Sequence, residues 1–359
     1  MRRSKKEREE WEEERTALER KLHTRQERIL ELGRLTRSLH RQLDATEADL
    51  SLALKIQTDK HRPAPIKRRR RRKNECTALI CCSDWHVGET VLPGSINDMG
   101  PGYNPDIAKR RATKFWQNAV TLVEQARAHN TVETAIIWLG GDLITGYESA
   151  PELQEHNSMG PIEEVLFARQ LIRGGIDYLL AELKPKRLII PCNMGNHGRI
   201  GVQGSSKLRY STQKGTSLEF ALYHILAGDF DGDKRVEFDI AEGMICYLPL
   251  YNLGPIRFMH GDGGVRSRGG AAGLYGGLAN GITRLDRDRR ACLTVIGHYH
   301  QVLDLAGKVD GTGAGIVNGS LIGPSAYSTR FGFYDAPRQA FALLDSRRGK
   351  LYTQSIWVE

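Results

Sequence analysis

Five short segments of the chain each combine an apolar run with a few polar residues of the kinds that bind metal ions. The polar groups, in chain order, are Asp84-Trp85-His86, Gly141-Asp142, Gly195-Asn196-His197, His260 and Gly297-His298-Tyr299-His300. Apolar runs of this length are typical of buried strands, so each polar group is predicted to lie where a strand gives way to a loop. Loops at one edge of a sheet can converge from distant parts of a chain and enclose a site.

The side chains in these groups form a mixed set of nitrogen and oxygen ligands. Together they comprise two carboxylates, one amide and several imidazoles. Such a set suits divalent ions such as Mn, Fe or Zn, and suits Mg or Ca less well. A single member could be an ordinary turn or rim residue. Their succession after five apolar runs instead indicates a site for two divalent ions.

The order of the groups resembles that of the calcineurin-like metallophosphoesterase superfamily, over roughly residues 76–330. The resemblance implies an α/β fold of two packed mixed β-sheets flanked by helices, an αββα sandwich, with the metals on loops at the C-terminal edge of the strands. The implied ligands are Asp84, His86 and His300 for one ion, Asn196, His260 and His298 for the other, and Asp142 as the bridge between them. His197 would act beside the ions as a catalytic residue.

Two metal ions about 3.5–4 Å apart can hold a shared water, lower its pKa and present hydroxide in line with a phosphorus atom. We therefore expect a dimetal-dependent phosphodiester hydrolase that uses a metal-bridging hydroxide. The expected ion is Mn²⁺, with Fe, Zn or Mg as alternatives. His197 is predicted to donate a proton to the leaving oxygen or to stabilise the transition state. The alternative is that it only forms hydrogen bonds within the metal shell.

Three arginines are candidate substrate contacts. Many members of the superfamily carry an acidic residue directly after Gly-Asn-His, but here Gly198 and Arg199 follow. Arg199 could contact a substrate phosphate, or it could be merely solvated. Arg266 and Arg268 lie in a glycine-rich stretch, residues 261–281, and could grip phosphate oxygens. The alternative for that stretch is a loop without contact to substrate.

The N-terminal part of the chain differs from the rest in charge and pattern. The chain has a net charge of +9, and the excess of basic residues lies within residues 1–73. Residues 7–56 lack proline and place apolar residues at heptad spacing, which predicts a long helix. The seam residues are Trp11, Leu18, Leu22, Ile29, Leu32, Leu39, Leu43 and Leu50. We expect a coiled coil that makes the protein a homo-oligomer; the alternative is one amphipathic helix packed on the body or on a partner protein.

A helix-breaking Arg62-Pro63-Ala64-Pro65 segment is followed by seven consecutive cations, namely Lys67, Arg68, Arg69, Arg70, Arg71, Arg72 and Lys73. Such a run could neutralise phosphates of a nucleic acid without reading its sequence. The alternative is a solvated linker or a targeting signal. The predicted organisation is therefore a coiled-coil arm over residues 1–60, a basic linker over 61–75 and a metallophosphoesterase catalytic domain over 76–359.

These observations together predict a DNA nuclease, and the arrangement resembles the DNA-repair exonuclease-like members of the superfamily in phages and bacteria. The alternatives are a phosphomonoesterase acting on proteins or nucleotides, and a non-catalytic DNA-binding protein that retains the fold. The sequence contains no apolar run of about 18 residues, so no membrane span is expected. The N-terminus is too highly charged for a signal peptide. We expect a cytoplasmic protein, in a bacterium or a phage-infected cell, without a membrane partner.

Overall fold

The fold was obtained as a computed structural model that describes residues 5–58, 74–94, 102–146, 157–200, 215–263, 273–307, 313–325 and 335–359. The chain divides into two compact units, Met1–Arg71 and Arg72–Glu359.

The first unit contains one long helix, α1 (Lys5–Thr58), which confirms the helix predicted over residues 7–56. All eight seam residues lie on it with at least half of each side chain exposed, and Ile29 reaches 67%. Leu30 and Leu35, which lie off the seam, are exposed as well. The helix therefore presents a long row of apolar side chains.

The second unit contains eleven strands and four helices among the residues that the structure describes. The strands are β1 (Asn74–Cys82), β2 (Asn130–Leu139), β3 (Arg187–Cys192), β4 (Val236–Ile240), β5 (Ile245–Pro249), β6 (Pro255–Met259), β7 (Leu293–Ile296), β8 (Leu303–Leu305), β9 (Gly315–Val317), β10 (Arg338–Asp345) and β11 (Gly349–Trp357). The helices are α2 (Pro105–Arg127), α3 (Pro161–Leu183), α4 (Leu218–Asp229) and α5 (Gly273–Asp288).

The strands form two mixed sheets. The first sheet has the order β11-β10-β1-β2-β3-β4, in which β1 to β4 are parallel and β10 is antiparallel to both of its neighbours. The second has the order β5-β6-β7-β9-β8, with parallel central strands and an antiparallel strand at each edge. Parallel pairing requires crossover connections, and α2 and α3 supply the crossovers between β1, β2 and β3.

Alternating side chains along the central strands bind the layers together. In β1, Ile80 packs in the cluster that contains Phe115 of α2 and Ile176 of α3. Its neighbour Leu79 packs in a second cluster with Phe258 of the second sheet. This alternation is the period-two pattern of a strand buried on both faces. The layers are therefore helices, sheet, sheet and helix, which confirms the predicted fold class.

Helix α5 corrects part of the sequence interpretation. The glycine content of residues 273–281 suggests a loop, but they form the first half of this helix. Leu278 and Ile282 are fully buried, and Leu274 and Leu285 pack against the same cluster, on one side of the second sheet. This i, i+4, i+8 and i+11 spacing is that of one helix face, and its burial outweighs the low helix propensity of glycine.

Each of the five apolar runs ends a strand of a sheet, as predicted. The last residues of three strands are paired in register, because Cys82 is opposite Leu139 and Leu139 is opposite Cys192. In the second sheet Met259 is opposite Ile296. The polar groups that follow therefore start from common sheet edges. None of the described helices is both long enough and apolar enough to cross a membrane.

Candidate metal centre

Backbone hydrogen bonds hold the loops at the strand ends against one another. The Asp84 amide donates to the Gly141 carbonyl at 2.9 Å, and the His86 amide donates to the Asp142 carbonyl at 3.1 Å. In the second sheet the Gly297 amide donates to the His260 carbonyl at 2.8 Å. The relative positions of the predicted ligands are thus fixed by main chain as well as by side chains.

Five predicted ligands have a left-handed backbone. Their φ angles are 57° for Asp84, 46° for His86, 50° for Asp142, 69° for His298 and 54° for His300. In the part of the chain that the structure describes, only Lys184 and Tyr251 are further non-glycine residues of this kind. Positive φ is uncommon outside glycine, and strained backbone of this kind clusters at functional sites.

The first group of candidate ligands consists of Asp84, His86 and His300, whose ligand atoms lie within 4.8 Å of one another. The Nε2 atoms of His86 and His300 are 3.2 Å apart, and His300 Nε2 is 3.5 Å from Asp84 Oδ1. All three side chains are buried. Two ring nitrogens and a carboxylate oxygen converge on one small volume, which is the arrangement that a shared cation requires.

The second group consists of Asp142, His260 and His298, again with ligand atoms within 4.8 Å of one another. His260 Nε2 is 2.9 Å from Asp142 Oδ2 and 3.2 Å from Asn196 Oδ1, so Asn196 joins this group. His260 Nδ1 donates to the Gly140 carbonyl at 2.8 Å. A carbonyl can only accept, so this bond fixes the ring orientation and directs Nε2 to the site.

A third group, His86, Asp142 and His197, overlaps with both of the others. His86 also belongs to the first group and Asp142 also belongs to the second, so the two centres are contiguous. The His197 amide donates to Asp142 Oδ1, and its ring Nδ1 donates to the Thr145 carbonyl, both at 2.8 Å. His197 Nε2 is then the ring nitrogen that remains for chemistry.

Burial and charge shift the pKa values of the site in opposite directions. Burial lowers the pKa of His86 well below its usual range, that of His298 to about 4 and that of His300 to about 3. Burial acts likewise on His260, but the Asp142 carboxylate outweighs it and raises the His260 pKa to about 10. Neutral imidazole is the form that binds a metal, so three of the rings are held ready for it.

The residues present fit two divalent ions. His86 Nδ1 is buried without a hydrogen-bond partner, and Glu89 Oε2 lies 3.9 Å from it. Burial raises the pKa of Asp84 to about 7, a shift that a nearby cation would reverse. Each centre offers three or four nitrogen and oxygen donors, and Asp142 lies between the two.

Several residues that support the ligands were missed in the sequence. Ser83 Oγ donates to Asp84 Oδ2, and Asn318 Nδ2 donates to Ser83 Oγ at 2.8 Å. Gln339 Oε1 accepts from Asn318 Nδ2 at 2.9 Å and also accepts from the Ser83 amide at 3.0 Å. Asn318 directly follows β9, just as the predicted ligands follow their strands. That position in the sequence could have identified it as part of the site. Outer hydrogen bonds of this kind orient metal ligands.

Two buried glutamates on helices reach the same loops. Glu164 Oε2 accepts from the Thr145 and Gly146 amides at 2.9 and 2.8 Å. Glu219 accepts from the Leu143 and Gly195 amides, both at 2.7 Å. Glu219 stands within an otherwise apolar stretch of sequence, which was the only signal for its role, whereas Glu164 directly follows Glu163 and the local pattern does not distinguish the two.

Arg199 is buried and is not merely solvated. Its Nη2 atom lies 2.5 Å from Asp262 Oδ2, and both side chains are less than a tenth exposed. Asp262 follows the predicted ligand His260 by two residues, so the ion pair borders the second group. Whether Arg199 also contacts substrate stays a prediction. Arg266, Arg268 and the basic run 67–73 lie outside the described residues.

No family model matches the chain, and no curated protein matches it. Among solved structures, it is similar to Vps29 of Entamoeba histolytica crystallised with Zn²⁺, at 12% identity and a TM-score of 0.31, covering 78% of this chain and 99% of that one. A 5'-nucleotidase precursor of Thermus thermophilus is similar at 11% identity and a TM-score of 0.28, covering 78% and 54%. Because these scores are low, we infer the function of the chain from the site itself.

Proposed function

We propose that the second unit is a metal-dependent phosphoester hydrolase of the calcineurin-like metallophosphoesterase type. The main observation behind the proposal is that two groups of candidate ligands lie next to each other at the strand ends. A third group contains both His86 of the first and Asp142 of the second. All of the residues that the motif order implies as ligands lie in or beside these groups. The proposed ions are two divalent metals, with Mn²⁺ as the first candidate.

When bound, the two ions would supply charge neutralisation at phosphate oxygens and a lowered pKa for an attacking water. The protein's own contribution is orientation and proton transfer. Thr145 holds His197 through its carbonyl, so that His197 Nε2 is the group that donates a proton to the leaving oxygen. His197 approaches His86 edge-on, with ring centroids 4.6 Å apart, and is therefore next to the metal ligands.

We further propose that the substrate is a phosphodiester, and specifically DNA. Support for this step comes from charge, because seven consecutive cations directly precede β1. Cations of this kind bind the phosphate backbone with little dependence on base sequence. A phosphomonoester substrate, of protein or nucleotide origin, is the competing proposal because the same metals serve both reactions.

The first test compares bis-p-nitrophenyl phosphate with p-nitrophenyl phosphate after chelation and addition of Mn²⁺, Fe²⁺, Zn²⁺ or Mg²⁺. We expect Mn²⁺-stimulated hydrolysis of the diester and its loss in Asp142→Ala. Preference for the monoester would support the phosphatase. Elemental analysis that found no bound metal, together with hydrolysis of neither compound, would support the non-catalytic DNA-binding protein.

The second test concerns the nucleic acid. Labelled single-stranded DNA, duplex DNA and RNA should be offered to the native chain and to a variant with glutamine at residues 67–73. The slope of log affinity against log salt should become shallower by about 0.7–0.9 for every phosphate that the variant no longer neutralises. We expect weaker DNA binding and a flatter slope, with unchanged hydrolysis of the small diester. An unchanged slope would remove the proposed role of the basic run.

We also propose that α1 binds a second copy of the chain. Its apolar residues repeat every seven positions on two adjacent rows, which suits a coiled-coil seam rather than a broad packing face. Arg15, Arg25, Thr36 and Thr46 interrupt the rows. Polar seam residues of this kind lower stability and restrict the allowed register, so a defined oligomer is expected rather than open aggregation.

A further inference from the structure

Glu219 joins the two loops that carry Asp142 and Asn196. It is fully buried in the first turn of α4. Its Oε1 atom accepts from the Leu143 amide and its Oε2 atom accepts from the Gly195 amide, both at 2.7 Å. Leu143 follows Asp142 and Gly195 precedes Asn196, so each carboxylate oxygen holds one ligand loop by the residue next to the ligand.

The loops approach each other closely at Gly141 and Gly195, where neither residue has a side chain. A Cβ atom on Gly141 would overlap the main chain of Gly195, and one on Gly195 would overlap the Asp142 carboxylate. Among the bonds of the described residues, those from the His197 amide to Asp142 Oδ1 and from the His197 ring Nδ1 to the Thr145 carbonyl also tie these loops together. The Glu219 carboxylate therefore supplies two of the contacts that set the distance between the loops.

Gly198 gives Glu219 the space to reach these amides. A Cβ atom on Gly198 would lie 2.7 Å from Glu219 Cγ and 3.1 Å from Glu219 Cδ. The Leu218 amide donates to the Gly198 carbonyl at 2.7 Å, which draws the start of α4 against this segment. Ser217 caps the helix by accepting from the Glu219 amide at 3.2 Å. Gly198 and the start of α4 thus both allow Glu219 to reach the two amides.

We infer that Glu219 is a positioning residue for the metal centre: it fixes the separation of Asp142 from Asn196 and thereby the affinity for the second ion. The inference rests on the proposed metal site but not on the identity of the substrate. Burying a carboxylate without a cation partner is costly, and two charge-assisted hydrogen bonds to main-chain amides offset that cost. A residue needed only for packing at this position would be apolar.

Glu164 provides a matched comparison. It is also a buried glutamate in the first turn of a helix, and it also accepts from two amides of the loop after β2. Those amides belong to Thr145 and Gly146, and the Thr145 carbonyl holds His197 rather than a ligand pair. Glu164 does not join two loops through the residues next to Asp142 and Asn196.

The experiment titrates Mn²⁺ calorimetrically into metal-free full-length protein, for the native chain, Glu219→Gln and Glu164→Gln. Glutamine keeps one acceptor oxygen but places an NH₂ group against the other amide, so one of the two bonds is lost. We expect Glu219→Gln to weaken the second Mn²⁺ site about 10- to 100-fold, the usual range for outer-shell changes, and to leave the first site within about threefold. Glu164→Gln should leave both sites near native affinity.

Gly198→Ala tests the same contact from the other side and keeps the carboxylate. It should weaken the second site as Glu219→Gln does, with native circular dichroism. Native affinity for both ions in Glu219→Gln, or equal weakening in Glu164→Gln, would overturn the inference. Because the experiment measures metal binding, its result can be interpreted even if the protein does not hydrolyse phosphodiesters. If Glu219→Gln does not fold, the Gly198→Ala titration decides alone.

Discussion

The Nε2 atoms of His86 and His300 lie 3.2 Å apart, although 214 positions separate the residues in the chain. Burial lowers the pKa of both rings, so neither carries a full positive charge at neutral pH. Two neutral imidazoles that face each other through ring nitrogens need a proton or a cation between them. The two ring nitrogens therefore lie where the proposed first metal ion would bind.

Removal of one ring should abolish that site. Outer-shell changes typically cost 10- to 100-fold in metal affinity, so loss of a direct ligand in His300→Ala should cost more than about 100-fold. Calorimetric Mn²⁺ titration should then find one strong site in place of two. His129→Ala, at an exposed histidine outside the site, is the control. Two native-affinity sites in His300→Ala would contradict the assignment of this ligand.

His197 should act on the leaving group rather than on metal retention. In His197→Asn we expect unchanged Mn²⁺ content and a fall in kcat of about 10²–10⁴-fold on a dinucleotide, whose alkoxide leaving group needs a proton. The fall should be smaller on bis-p-nitrophenyl phosphate, because p-nitrophenolate leaves without protonation. Equal losses of kcat on the two substrates would show that His197 has a role other than proton donation.

Arg257 and Asp286 form a buried ion pair that supports the second sheet. Arg257 Nη1 is 3.0 Å from Asp286 Oδ1, with the arginine fully buried and the aspartate 3% exposed. Removing one partner of such a pair leaves an uncompensated charge, so Asp286→Ala should lower the free energy of unfolding by about 3–5 kcal/mol. Urea denaturation measures this change.

The control for that prediction is Asp177→Ala, which removes an exposed pair with Arg173 at 3.9 Å. Exposed pairs contribute about 0–1 kcal/mol, so this variant should unfold at nearly the native urea concentration. A change of less than about 1 kcal/mol in Asp286→Ala would mean that the pair is not needed for the stability of the fold.

The seam on α1 should control self-association. Leu22→Lys combined with Ile29→Lys places two charges in the proposed interface, so analytical ultracentrifugation should show a monomer where the native chain is an oligomer. Leu30→Lys is the matched control, because Leu30 is 63% exposed on the same helix but lies off the seam. Hydrolysis of a small diester should be unchanged in both. A monomeric native chain, or an oligomer that survives the seam changes, would exclude the coiled coil.

The apolar runs and their polar ends were enough to predict the architecture around the site. Strands β1, β2, β3, β6 and β7 lie where the sequence pattern places them. Side chains buried on both faces produce long apolar runs that stand out from the rest of the sequence. The position of each polar group at a strand end then follows from chain order alone.

The residues that hold the ligand loops in place could not be predicted in the same way. Glu164 and Glu219 bind loop amides 18 to 76 positions away, and the sequence around an acidic residue does not reveal its partner. Arg199 illustrates the same limit, since its ion pair with Asp262 spans 63 positions. Such pairings depend on tertiary distances, which the local pattern of a sequence does not contain.

The left-handed backbone at five candidate ligands makes the stability of the folded chain depend on the concentration of divalent ions. Each such residue stores strain of order 1–3 kcal/mol, which the surrounding structure must offset. An ion that binds only the native chain adds about 2.7 kcal/mol of stability at a concentration one hundred times its Kd. The concentration of divalent ions around this protein would therefore shift the balance between its folded and unfolded states.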